Sequence, residues 1–384
     1  MNHEIEDKNG VLILEHPQTK KIKSFPGVLF GAETSSDKTL KSQKQNEDYA
    51  FGEMIFNTSL SGYQEILTDP SYCGQIICMT NPQIGNTGVN LEDMESSKTY
   101  CAGLVIHELS RMPSNWRSTS SLDSFLKEHN VPGIKGIDTR TVTREVRTLG
   151  ALRGLILPLN QEDQAEKLFA QLPQFDGRDL IAKVTTKKPY LWNKKSTKPT
   201  KHKVVVIDFG LKLNLLNCLE AVGCELTIVP ASASASEVLS HKPDGIFLTN
   251  GPGDPSAAPY AVETVKSLLG QKPIFGVCMG HQILSLALGA KTYKMKFGHR
   301  GANQPVKDHE TGRVEVSSHN HGFAIDPSSL PGNIVIGHTC LNDQTVEGIS
   351  VLDKKAFSVQ FHPEASPGPH DSIGLFDRFA KMMG

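Results

Sequence analysis

The 384-residue chain has no uninterrupted apolar run approaching 18 residues, so a membrane span is not expected. Its richest apolar stretch, Ile283 to Ala290, contains Ser285 and Gly289 and reads instead as a buried helix. The start, Met1-Asn2-His3-Glu4-Ile5-Glu6-Asp7, carries acid where a secretion signal needs base, which points to a cytoplasmic protein. Charge of one sign is also missing: Lys+Arg 40 against Asp+Glu 41 leaves a net −1, with no long-range field for nucleic acid or an anionic membrane. The seven cysteines show no paired CxxC spacing, so they are read as reduced thiols and no metal site is expected. There is no G-x-x-x-x-G-K-[ST], hence no P-loop, and the one G-x-G, at Gly251 and Gly253, lacks the third glycine of a dinucleotide fingerprint.

Between Ala182 and Lys203 apolar periodicity fades and lysines accumulate, most densely over Lys194 to Lys198, which is connector composition. This places a boundary near residue 195, with domains 1–195 and 196–384. After it, unbroken apolar strands (Lys203 to Asp208, Glu225 to Val229, Gly245 to Thr249, Pro273 to Val277) alternate with helices (Lys212 to Val222, Ser236 to Ser240, Tyr260 to Leu269). That alternation predicts an α/β fold with a parallel sheet covered on both faces, whose ligands sit beyond the carboxyl ends of the strands. The first half is less regular, with short apolar stretches and helices expected at Ser121 to Asn130 and Arg140 to Leu149, and reads as a mixed α and β domain. Residues 32–49 are polar and read as an exposed loop.

Three segments carry chemistry. Gly276-Val277-Cys278-Met279-Gly280 lies where a buried strand gives way to a helix and has the form of a nucleophile elbow with Cys in place of Ser. A helix N-terminus there favours thiolate over thiol, although the same five residues also suit an ordinary buried cysteine. His362-Pro363-Glu364 ends the apolar strand Ala356 to Phe361, and two residues apart in extended chain the His and Glu can share a face, so the carboxylate can orient the imidazole. Asn250-Gly251-Pro252-Gly253-Asp254-Pro255 follows another strand and is a rigid turn whose N–H groups suit an oxyanion or only a tight connection. The conjunction favours the functional reading, since each segment sits at a strand end of one sheet.

Together Phe275 to Gln282, the Asn-Gly-Pro-Gly-Asp-Pro turn and Phe361 to Glu364 resemble a class I, triad-type glutamine amidotransferase. The likeness extends through Phe56 to Tyr72, Gly136 to Arg140, Asp208 to Gly210, Lys294 to His299, Asn320 to Phe323 and His362 to His370 to the small subunit of carbamoyl-phosphate synthetase, and covers both halves in order. The N-terminal half is what separates it from other amidotransferases of the class. The resemblance implies a catalytic triad of Cys278, His362 and Glu364, and glutamine held by Ser59, Gly251, Gly253, Met279, Gln282, Asn320, Gly322 and Phe323. It also implies a large-subunit partner that binds ATP and a divalent metal and turns ammonia into carbamoyl phosphate for pyrimidine or arginine synthesis, with no cofactor in this chain. The sequence departs from the family pattern at Met279 (Leu expected), His319 (Gln), Gln304 (His) and His107 (Arg).

Overall fold

The computed structural model describes residues 7–32, 49–192 and 200–384, and these divide into two compact units, 1–68 with 72–175 and 69–71 with 176–384. Most of the expected 32–49 loop and the densest part of the lysine-rich connector, 193–199, lie outside the described residues.

In the first unit seven strands close into a barrel. They are β1 (Gly10–Glu15), β2 (Ile22–Gly31), β3 (Ala50–Asn57), β4 (Gln75–Met79), β6 (Gly103–Val105), β8 (Pro132–Lys135) and β9 (Leu152–Pro158), in the order β1-β2-β8-β6-β4-β3-β9. A two-stranded ribbon of β5 (Gln83–Ile84) and β7 (Glu108–Leu109) stands beside them. Alternation along the strands sends Val11, Ile13, Leu155 and Leu157 into one cluster with Ala165 and Phe169 of α4 (Ala165–Gln171). Ile55, Ile77, Met79 and Leu104 join another, with Tyr63 and Leu67 of α1 (Tyr63–Thr68) and Phe125 and Leu126 of α2 (Leu122–Glu128). The helix expected near Arg140 to Leu149 is α3 (Thr139–Leu149), started by the Asp138 carboxylate, which accepts from the Thr141 N–H.

The second unit is built on one ten-stranded sheet. Its parallel part comprises β12 (Cys224–Pro230), β11 (His202–Asp208), β13 (Gly245–Leu248), β14 (Ile274–Val277) and β19 (Ala356–Val359). Helices cover both faces because the strand residues are apolar on both sides. Val205 and Ile207 pack under α7 (Ala235–Ser240), α8 (Pro259–Leu268) and α9 (Met279–Ala287), whereas Val204 and Val206 pack under α6 (Leu213–Ala221) and α10 (Gly374–Met383). On the second face Phe275 and Phe357 stack with ring centroids 4.4 Å apart, and Phe247 packs on Phe275 edge to face. Each such fully buried ring contributes about 1.5–3 kcal/mol.

Past β19 the sheet continues antiparallel through β18 (Val346–Val351), β16 (Val314–Ile325), β15 (Thr292–Asp308) and β17 (Val335–Cys340). At the opposite edge β10 (Tyr190–Leu191) pairs with β12, and the short helix α5 (Ile181–Val184) buries Ile181 in the first-face core. Residues 176–192 therefore pack with the second unit, ahead of the boundary expected near 195. Apolar anchors spaced among lysines hide that packing from a composition reading.

Candidate active site

Four strand ends of the parallel sheet supply the site. At the end of β14, Cys278 is the N-cap of α9 and holds φ 54°, ψ −104°, a left-handed conformation that costs a non-glycine residue of the order of 1–3 kcal/mol. The turn is tight enough to need both flanking glycines: a Cβ on Gly276 would lie 2.8 Å from the Gly280 carbonyl group, and one on Gly280 would lie 2.3 Å from the Leu248 oxygen. The strained turn is held by the Cys278 N–H, which donates to Val359 O at 2.8 Å, and the Gly280 N–H, which donates to Thr249 O at 2.9 Å. The buried thiol donates weakly to the Asn320 carbonyl, with Sγ···O 3.6 Å.

Beyond β19 the backbone of His362 bridges to Ser318 of β16, its N–H donating to Ser318 O at 2.8 Å. His362 Nδ1 and Glu364 Oε1 are 2.7 Å apart, and Lys212 Nζ lies 2.9 Å from the same carboxylate oxygen. Lys212 also donates to Ala365 O at 2.6 Å, and Asn214 Nδ2 to Glu364 O at 2.7 Å. All three members of this Lys–Glu–His chain are buried. Burial works against charge on Glu364, yet Lys212 and His362 outweigh it and hold the carboxyl down at about 2. At His362 burial again opposes charge, and the attraction of Glu364 and of the Cys278 thiol overcomes it, raising the imidazole to about 10. His362 Nε2 and Asn320 Nδ2 are buried without a hydrogen-bond partner. His281, three residues after Cys278, is a different case: burial pushes it down to about 3, and its Nδ1 is 2.8 Å from Ser358 Oγ.

The second unit thus brings together Cys278, His362, Glu364 and, of the residues expected at glutamine, Asn320 beside the thiol. Met279 is the first residue of α9 and is buried. Gln282 is anchored, its Nε2 donating to Phe323 O at 3.0 Å and Gln360 Oε1 at 2.9 Å, so α9 and β16 are tied together through the segment holding Gly322 and Phe323. Gly251 and Gly253 follow β13, where the Asn250 side chain accepts from the Lys212 N–H and donates to Asp69 Oδ1 and Ser71 Oγ. Ser59 belongs to the first unit, buried in the loop after β3, with its N–H donating to Asn57 Oδ1 at 2.8 Å. Lys212 and Asn214 were not singled out from sequence, and Asn250 was quoted only as the first residue of its turn; the signal for Lys212 was that it follows the quoted Asp208-Phe209-Gly210 at a strand end. Among the described residues no helix is long and apolar enough to cross a membrane.

A cysteine on a strained strand-to-helix turn lies near a histidine paired with a glutamate, and residues 205–382 match the family described as glutamine amidotransferase class-I. Residues 29–156 match the carbamoyl-phosphate synthase small chain, CPSase domain. The carbamoyl phosphate synthase small chain of Syntrophotalea carbinolica is 51% identical over 344 residues, spanning 86% of this chain and 91% of that one. The chloroplastic small chain of Arabidopsis thaliana is 50% identical over 343 residues (86% and 80%), and the carbamoyl phosphate synthase small chain of Synechocystis is 47% identical over 373 residues (94% and 93%). The chain belongs to the carbamoyl phosphate synthase small chain family.

Proposed function

We propose that this chain is the glutamine-hydrolysing subunit of a carbamoyl phosphate synthase, releasing ammonia for a large-subunit partner. The observation that carries the chemistry is the buried Cys278 on its positive-φ elbow beside an imidazole paired with Glu364. Cys278 Sγ attacks the side-chain carboxamide carbon of L-glutamine, and the N–H groups of Gly251 and Met279 receive the oxyanion. His362, raised by Glu364 and Cys278 to about 10, takes the Cys278 thiol proton as the C–S bond forms and gives that proton to the departing ammonia as the C–N bond breaks. The imidazole then takes a proton from water, which cleaves the γ-glutamyl thioester and returns free thiol and glutamate. Glu364 and Lys212 hold the ring and act through it. Asn320, Gly322, Phe323, Gly253 and Gln282 shape the glutamine pocket, and the unpartnered Asn320 Nδ2 suits a polar substrate group.

ATP, bicarbonate and the divalent metal of the synthesis are assigned to the partner, in the cytoplasm, where the seven thiols stay reduced. The test is glutamate release from glutamine by the purified chain, alone and with a large subunit, ATP and bicarbonate. A large rise with the partner, abolished in Cys278→Ser while synthesis from added ammonia survives, is the expected result. Loss of both routes would make Cys278 structural. Ser59→Ala tests the remaining expected ligand: an unchanged KM for glutamine would remove it from the set.

A further inference from the structure

We infer that His299, His319, His321 and Glu347 form a closed zinc-binding site in the antiparallel half of the second unit. The four residues are buried and come from three strands, β15, β16 and β18, with His299 and His321 directly opposite each other in the ladder. Their inward atoms already stand at the spacing a tetrahedral ion needs. His299 Nδ1 is 3.3 Å from Glu347 Oε1, His319 Nδ1 is 3.6 Å from Glu347 Oε2, His321 Nε2 is 3.9 Å from Glu347 Oε1, and His319 Nδ1 is 3.3 Å from His321 Nε2. Zinc–nitrogen bonds of about 2.0–2.1 Å put tetrahedral ligand atoms about 3.4 Å apart.

The outer hydrogen bonds fix which nitrogen faces inward. His321 Nδ1 is 2.9 Å from the Phe323 carbonyl, which only accepts, so Nδ1 carries the proton and Nε2 presents its lone pair. His299 Nε2 is 2.9 Å from the Asp343 carboxylate, which likewise accepts, so Nδ1 is the nitrogen turned inward toward Glu347. His319 Nε2 is 2.8 Å from Ser317 Oγ, whose own hydrogen goes to Gln304 O, so the ring donates there and turns Nδ1 inward. A carboxylate, a hydroxyl and a backbone carbonyl behind three histidines is the outer shell that metal-ligating imidazoles take. Three inward imidazole nitrogens around a buried carboxylate suit a cation at their centre, and His299 Nδ1 and Glu347 Oε2 are buried without a hydrogen bond. Nitrogen and oxygen donors from His and Glu in tetrahedral array suit Zn²⁺. The absence of a metal site expected from cysteine spacing gives way here because the donors are histidines and a glutamate dispersed over 49 positions.

The test uses the full-length chain, stripped with chelator and titrated with zinc chloride. The expected results are one zinc per chain and a melting temperature raised by several degrees, with both lost in His319→Gln and both retained in Cys278→Ser. Cobalt substitution gives a second readout that does not depend on the variants: visible absorption of tetrahedral Co²⁺ without a thiolate charge-transfer band. Zinc lost in Cys278→Ser but kept in His319→Gln, or a thiolate band with cobalt, would move the ion to a cysteine and overturn the inference. No stoichiometric zinc and no thermal shift in the wild-type chain would also overturn it, leaving a cluster held by protons alone.

Discussion

Glu364 and Glu347 are both fully buried in the second unit, and both face histidine. Burial alone would raise both carboxyls. At Glu364 Lys212 and His362 reverse that, and the group is held at about 2. At Glu347 the paired side chains are His299, His319 and His321; burial prevails and the carboxyl is raised. Burial also holds His319 and His321 well below the ordinary histidine range. His299 alone among the three is raised, because Glu347 and Asp343 together outweigh its burial, so one histidine shares the carboxylate while the other two lose their protons to desolvation. A lysine resolves the conflict at the triad, and the zinc inferred above would resolve it at the cluster.

The largest expected effect on this contrast comes from His362→Asn, which removes the proton carrier. Glutamate release should fall by about 10²–10⁴-fold, measured in the assembled synthase with saturating glutamine. Next, Lys212→Met leaves Glu364 with less compensation and should destabilise the chain by about 3–5 kcal/mol in denaturant unfolding. It should also raise the acid limb of the pH–rate profile, since Glu364 then binds a proton more readily.

The pH dependence of stability sharpens the comparison further. The folded pKa of His362 lies above its ordinary value of 6.5, so its contribution is complete below about 6.5 and is lost as pH rises toward about 10. Glu364 is depressed from 4.5 to about 2, so its contribution is present above about 4.5 and is lost as pH falls through about 2. Thermal unfolding between pH 7 and 10 should show a falling melting temperature, with a shallower fall in Glu364→Gln. The smallest effect is reserved for Glu347→Gln in metal-free protein. Exchanging a carboxyl already pushed toward neutrality for an amide of the same shape should change stability by no more than about 1 kcal/mol in the same denaturant assay.

The residues differ in how far sequence exposed them. The strands ending at Asp208, Leu248, Val277 and Val359 were legible because buried parallel strands are apolar throughout, and strand ends are where such sheets carry ligands. Cys278, His362 and Glu364 stood out at those ends. Lys212 did not, because a lysine before an amphipathic helix reads as solvated surface; its meaning depends on Glu364, 152 residues later. The antiparallel extension was largely illegible. β15 carries polar residues and two register shifts, which break the alternation that marks a half-buried strand. His319 and His321 share a face of β16 by their i, i+2 spacing, but only the fold brings His299 and Glu347 to them. The barrel of the first unit was read only as a mixed domain, since short strands do not announce closure.

The most direct test of the account is to quench the assembled synthase during turnover of glutamine and analyse its peptides by mass spectrometry. A γ-glutamyl thioester on the peptide containing Cys278, absent in Cys278→Ser, is the predicted result. Steady glutamate release with no adduct, or an adduct on any of the other six cysteines, would contradict it.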